Sequence, residues 1–169
     1  MVIFLIGYMG SGKTKTAELL ARKLNFEFID TDRLIESEQK QSVSEIFSSK
    51  GEPFFRRLEK QTLRSLDNKK DIVVATGGGL PCFDENMDLM NRAGLTVYLQ
   101  VPVGMLIQRL SQAKGDRPLI AGLSKEELEL KVKSQLQERE AYYLKAKIIF
   151  EVSKHSTDVL FKQILHLPN

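Results

Sequence analysis

Along the chain, short unbroken apolar runs alternate with longer stretches in which apolar residues recur every three or four positions. The runs Val2–Ile6, Phe26–Asp30, Ile72–Thr76, Thr96–Val101 and Ile148–Val152 are expected to be strands. Ile72-Val73-Val74 shows no polar alternation, as expected of a strand buried on both faces. Between the first two runs, Lys13–Leu24 places Ala17, Leu20, Ala21 and Leu24 on one helical face. Strand and helix patterns taking turns in this way predict an α/β fold: three layers, with a five-stranded parallel sheet flanked by helices.

Capping chemistry sharpens several boundaries. Ser42-Val43-Ser44-Glu45 has the form of a capping box, and Gly51 is a candidate terminator after Phe47. Ser124-Lys125-Glu126-Glu127 repeats the box ahead of a long helix ending near Tyr143, and Gly94 is expected to end a helix running from about Asp84 to Arg92. The stretch Ala113-Lys114-Gly115-Asp116-Arg117-Pro118 has no periodicity and carries Gly and Pro, so it reads as a mobile loop. With no repeat, low-complexity tract or linker, residues 1–169 are expected to form a single domain.

Composition narrows the function classes. The chain has 169 residues, 42% hydrophobic and 28% charged, which is ordinary for a globular domain. Charge is nearly balanced, 25 Lys and Arg against 22 Asp and Glu for a net +3, and no basic block appears, so no nucleic-acid partner is expected. One cysteine excludes an internal disulfide and fits a cytoplasmic protein. The opening run Val2–Ile6 is too short for a membrane helix and has no basic stretch before it, so no membrane association is expected either. Both histidines, His155 and His166, lie near the C-terminus, which argues against a histidine-centred base or metal.

The strongest local signal is Gly7-Tyr8-Met9-Gly10-Ser11-Gly12-Lys13-Thr14, a P-loop pattern that follows an apolar strand directly and opens a helix. Glycines let backbone N–H groups converge on phosphate oxygens at the positive end of a helix. Gly10, Ser11, Gly12, Lys13, Thr14 and Lys15 are therefore expected to bind a nucleoside triphosphate, with Lys13 reaching the β- and γ-phosphates and the Thr14 hydroxyl on Mg²⁺. A GTPase is excluded. Asn68-Lys69-Lys70-Asp71 spells a guanine-reading motif but precedes the third strand, and no Asp has a Gly three positions later. That third strand ends in Thr76-Gly77-Gly78-Gly79 and not in an acid, so the metal-side carboxylate is sought in Asp30-Thr31-Asp32, at the tip of the second strand. One Asp of this pair also suits the N-cap of a helix from Leu34 onward. Three successive glycines are costly to order and point to close approach of a ligand to the backbone.

A second, arginine-rich locus follows. Arg56 and Glu59 are three apart in a helical pattern with Phe55, Leu58, Thr62 and Leu66, and Arg139 and Tyr143 are four apart near the end of the long helix. Guanidinium forks suit carboxylate or phosphate.

Taken in order and at their intervals, Gly7–Thr14, Asp30-Thr31-Asp32, Phe55-Arg56-Arg57-Leu58-Glu59, Gly77-Gly78-Gly79, Arg117-Pro118-Leu119 and Arg139 to Tyr143 make the chain resemble shikimate kinase, from about Ile3 to Phe150. The resemblance implies a P-loop kinase fold and transfer of the γ-phosphoryl of ATP to the 3-hydroxyl of shikimate, in the chorismate pathway to aromatic amino acids. It implies that Asp32 holds the acceptor hydroxyls and serves as base, and that Asp30 is the metal-side aspartate, acting through water. Arg56 and Arg139 would grip the shikimate carboxylate, Glu59 would orient those arginines, and Gly77, Gly78 and Gly79 would add backbone contacts. Arg117 resembles the lid arginine that closes over the phosphates, and Arg109 the residue stacked on adenine. By the same resemblance the acceptor segment spans about 31–61, the lid about 112–124, and the protein is a monomer. Two departures stand out: Ser153-Lys154-His155 lacks the proline or arginine often found beside adenine, and Leu80-Pro81-Cys82-Phe83 is unusual after the glycines. Cys82 is expected to be a small buried hydrophobe before a reactive thiol. Competing readings are a gluconate or nucleoside monophosphate kinase on the same core, or a nucleotide-binding regulator without catalysis. Retention of Lys13, Asp32 and Arg117 disfavours the last.

Overall fold

The computed structural model describes residues 1–112 and 122–167. Five strands, β1 (Val2–Ile6), β2 (Glu27–Asp30), β3 (Ile72–Ala75), β4 (Leu95–Gln100) and β5 (Ile148–Glu151), form one sheet in the order β2-β3-β1-β4-β5. All four pairings are parallel, with registers such as Val2↔Ile72, Ile3↔Leu95 and Val97↔Ile148. Each expected strand is present, within one residue at either end. Eight helices surround the sheet among the described residues: α1 (Lys13–Leu24), α2 (Thr31–Gln39), α3 (Val43–Lys50), α4 (Glu52–Ser65), α5 (Asn86–Ala93), α6 (Val103–Gln112), α7 (Lys125–Tyr143) and α8 (Thr157–Leu165).

Alternate residues of each central strand feed two cores. Val2, Phe4, Ile6, Ile72 and Val74 pack on one face with residues of α4, α5, α6 and α7. Ile3, Leu5, Val73 and Val97 pack on the other, under Ala17, Leu20 and Ala21 of α1 and Leu160 and Ile164 of α8. A smaller third core of Ile35, Ile46, Phe55 and Leu58 joins α2, α3 and α4, which together make up the segment expected to carry the acceptor.

Both capping boxes are present, at Ser42 with Glu45 and at Ser124 with Glu127. Two local expectations are corrected. Asp84 adopts a left-handed φ of 48°, which a helix excludes, so α5 begins at Asn86. Gly94 ends α5 as expected, its N–H donating to Met90 O and its backbone extended. Glycine is required there because a Cβ would collide with the Val2 carbonyl where the chain turns into β4. The helix after β2 starts at Thr31, earlier than Leu34, because Asp30 itself is its N-cap. Helix α8 has no counterpart among the elements expected from sequence.

Candidate active site

The P-loop joins β1 to α1 at the C-terminal edge of the sheet, where open parallel sheets bind ligands. Gly10 and Gly12 take left-handed φ values of 81° and 94°, which curl the loop over the start of α1. That helix has no side-chain cap and no acid in its first turn, so its N-terminal amides and dipole suit an anion. Lys13 is buried and folds back over the loop, its Nζ donating to the carbonyls of Gly7 (2.8 Å) and Tyr8 (3.0 Å). Arg109 clasps the loop from α6, with Nη1 donating to Gly10 O at 3.1 Å. The buried Ser11 hydroxyl has no partner among the described residues.

Each residue of Asp30-Thr31-Asp32 does different work. Asp30 Oδ1 caps α2 by accepting from the amides of Asp32 and Arg33, while its Oδ2 accepts from the Thr14 hydroxyl at 2.9 Å. One aspartate thus serves as helix cap and as neighbour of the P-loop threonine. Buried Thr31 accepts from the Gly77 amide at 2.9 Å and pins the glycine loop to the first residue of α2. Asp32 turns its Oδ1 inward, buried and unpartnered among the described residues. Burial, with the nearby Asp30 charge adding, pushes its carboxyl up to about 6 against the pull of Lys13 and Arg56.

The P-loop, Lys15, Asp30, Asp32, Gly78 and Arg109 face one cleft of about 920 Å³, a volume in the range of small-molecule sites. The other residues expected on the acceptor side adjoin it around the glycine loop. A Cβ on Gly77 would stand 2.6 Å from Asp32 Oδ1 and 3.0 Å from Glu59 Oε1, so two buried carboxylate oxygens converge on this residue. Glu59 Oε1 is likewise unpartnered among the described residues, and burial pushes that carboxyl up to about 7 although Arg56 opposes the shift. A Cβ on Gly79 would lie 2.7 Å from Arg56 Nη1, so the guanidinium occupies the space of the missing side chain.

Arg56 is held by Glu59 (Nη1, 2.6 Å) and by Glu52, whose Oε1 accepts from Nε (3.1 Å) and Nη2 (2.6 Å). Of its five N–H groups, one on each Nη is left over among the described residues, which is a fork fit for a carboxylate. Arg139 reaches the same region from α7, its guanidinium 5.8 Å from the centre of the Tyr8 ring. Tyr143, one turn on, donates to Gly78 O at 2.6 Å, and the Tyr8 hydroxyl donates to Gln135 at 2.7 Å. Helix α7 is thereby tied to the P-loop and to the glycine loop at once.

Every expected site residue except Arg117, which lies outside the described residues, falls in this region. Cys82 is half-buried near both arginines, and burial pushes its thiol up to about 11, which keeps it protonated at neutral pH. The sequence reading overlooked Tyr8, Thr31, Glu52 and Phe83. Of these only Glu52 had a visible signal, its position four residues before Arg56 on one helix.

The family model described as shikimate kinase matches residues 9–167. A shikimate kinase of Azobacteroides pseudotrichonymphae is 44% identical over 164 residues, covering 96% of each chain. The crystal structure of shikimate kinase from Bacteroides thetaiotaomicron superposes with a TM-score of 0.93 at 39% identity, over 99% of each chain. The shikimate kinase of Acinetobacter baumannii, solved in complex with shikimate, gives a TM-score of 0.86 at 34% identity, over 97% of this chain and 90% of that one. A phosphate cradle, an inward carboxylate and an arginine fork on one P-loop sheet thus agree with near full-length likeness: the chain belongs to the shikimate kinase family and is an ATP-dependent phosphotransferase.

Proposed function

We propose the following division of labour for transfer of the γ-phosphoryl of ATP to the 3-hydroxyl of shikimate. Gly10, Ser11, Gly12, Lys13, Thr14 and Lys15 bind the phosphates, the unpartnered Ser11 hydroxyl and the uncapped amides of α1 supplying donors. Lys13 exchanges its bonds to the Gly7 and Tyr8 carbonyls for phosphate oxygens. Thr14 and Asp30, a hydroxyl and a carboxylate already within hydrogen-bond distance, have the oxygen chemistry that Mg²⁺ prefers. The described residues contain no group of three or more His, Cys, Asp or Glu able to hold a metal alone, in keeping with Mg²⁺ entering on ATP. Bound there, it would offset charge on the β- and γ-phosphate oxygens.

On the acceptor side, Arg56 and Arg139 take the carboxylate, Glu59 holds Arg56, and Gly77, Gly78 and Gly79 let the ring lie close to the backbone. Asp32 accepts the hydrogen bond of the reacting hydroxyl and then its proton, as the oxygen–phosphorus bond forms and the bond to the β-phosphate oxygen breaks. By the family resemblance Arg109 lies beside adenine and Arg117 closes over the phosphates, with the lid at about 112–124 and the acceptor segment at about 31–61. The separate third core under that segment supports its acting as a unit. We place the enzyme in the cytoplasm as a monomer; among the described residues no helix is long and apolar enough to cross a membrane.

The carrying observation is the inward Asp32 Oδ1, unpartnered among the described residues, between the phosphate cradle and the arginine fork. The test is Asp32→Asn, which keeps the shape and removes the base. Its kcat for shikimate-dependent ADP release is expected to fall roughly 10²- to 10⁴-fold, with the KM for ATP little changed. A kcat within a few-fold of the parent would remove Asp32 from the chemistry.

A further inference from the structure

We propose that Phe83 is a positioning residue for the acceptor carboxylate, acting through Arg56. The proposal rests on the reading of Arg56 as a carboxylate ligand and adds what aims that ligand. Arg56 Cζ lies 3.8 Å from the centre of the Phe83 ring, a stacking distance, against 5.6 Å for Phe55 and 5.9 Å for Phe47. The cation belongs to α4 and the ring to the turn after the glycine loop, so the contact is tertiary.

That turn is firmly placed. Leu80–Cys82 forms one 3₁₀ turn with Leu80 and Pro81 buried, closed by Cys82 N–H on Gly79 O (2.9 Å) and anchored by Asn86 Nδ2 on Leu80 O (3.0 Å). Phe83 leaves it extended, at φ −110° and ψ 140°. The same short segment therefore meets the guanidinium twice, with the bare Gly79 backbone and with the Phe83 ring.

These contacts divide the control of Arg56. Glu52 and Glu59 hold the guanidinium by its N–H edges, but edge bonds alone let the plane tilt about them. The Glu52 side chain is 52% exposed, and an exposed pair four apart on a helix constrains little. A ring stacked on the face fixes the tilt. The plane so fixed is the one in which the two remaining N–H groups meet a carboxylate. Phe83 thereby tunes affinity for the carboxylated acceptor and leaves the phosphate cradle untouched.

The experiment measures kcat and both KM values for the parent, Phe83→Leu, Phe83→Met, Phe83→Tyr, Arg56→Gln and the double variant Phe83→Leu/Arg56→Gln, with folding checked by thermal melting. Losing the aromatic face is expected to raise the shikimate KM about 10-fold in the Leu and Met variants, the order that a desolvated cation–π contact supports. The kcat and the KM for ATP should stay within about 2-fold, and Tyr should restore the shikimate KM. In the Arg56→Gln background the Leu substitution should add less than about 2-fold, since the face it removes no longer carries a cation. A full 10-fold effect in that background would show that Phe83 acts without Arg56 and overturn the proposal. So would an unchanged shikimate KM in a folded Leu or Met variant. An unchanged KM in Arg56→Gln alone would instead refute the carboxylate role of Arg56, and the proposal with it. Methionine, longer and more adaptable, covers the case in which leucine fails to fold.

Discussion

Gly77 carries the tightest constraint in the site. Its amide is fixed to Thr31, and the space where a side chain would begin is bounded by Asp32 Oδ1 and Glu59 Oε1. Neither carboxylate can retreat freely, since Asp32 sits in the first turn of α2 and Glu59 is ion-paired to Arg56. Gly77→Ala therefore displaces the proposed base before it disturbs any core contact. Steady-state assays should show kcat lowered at least roughly 10-fold, because sub-ångström misplacement of a reacting group is costly. A melting temperature close to the parent's would separate this from general damage. Parent-like turnover would mean that the two oxygens have more room than the geometry gives them.

At the scale of elements, the sheet and its two faces follow from patterns that act locally. Runs such as Ile72-Val73-Val74, short and β-branched, favour buried strand, and the capping boxes at Ser42 and Ser124 mark helix starts through bonds spanning a few residues. The P-loop was legible for the same reason, since its glycines, lysine and threonine act within one turn of chain. Helix α8 was not. Its apolar stripe at Leu160 and Ile164 is blurred by Val159 and Leu165, both apolar and both exposed. The stack of Phe83 on Arg56 was also hidden, because it joins two elements whose proximity only the packed fold creates. What α8 contributes can be measured. Leu160 is fully buried on the sheet face shared with α1, and an ion pair of Lys23 with Asp158 ties the two helices at their rim. Leu160→Ala should cost about 2–4 kcal/mol in denaturant unfolding, as large-to-small core changes usually do. Turnover per folded molecule should hold, since no residue assigned to catalysis belongs to α8. A cost below ~1 kcal/mol would show that α8 merely rests on the sheet.

For the molecule as a whole, the site sets a dependence of stability on pH that net charge would not suggest. The formal charge is only +3, so bulk repulsion is small near neutrality. Glu59, however, is 1% exposed with its carboxyl pushed up to about 7 from an ordinary 4.5. A carboxyl raised on folding binds its proton more tightly in the native than in the unfolded state. Its contribution to stability is then full below about 4.5 and is lost as pH rises through about 7. Tenfold tighter proton binding is worth ~1.4 kcal/mol, so for a group this buried the full contribution is on the order of 3 kcal/mol. Asp32, raised to about 6, acts in the same direction. Without ligands, the melting temperature should thus be several degrees higher near pH 5.5 than near pH 8.5, at ~2–4 °C per kcal/mol for a chain of this size. Glu59→Gln carries no titrating proton, and its profile should be visibly flatter over that window even if its absolute stability changes. An equally steep profile in the variant would move the effect to other groups. A parent protein most stable at alkaline pH would contradict the raised carboxyl itself, and with it the view that the enzyme keeps a buried, under-solvated acid pair ready beside its proposed acceptor site.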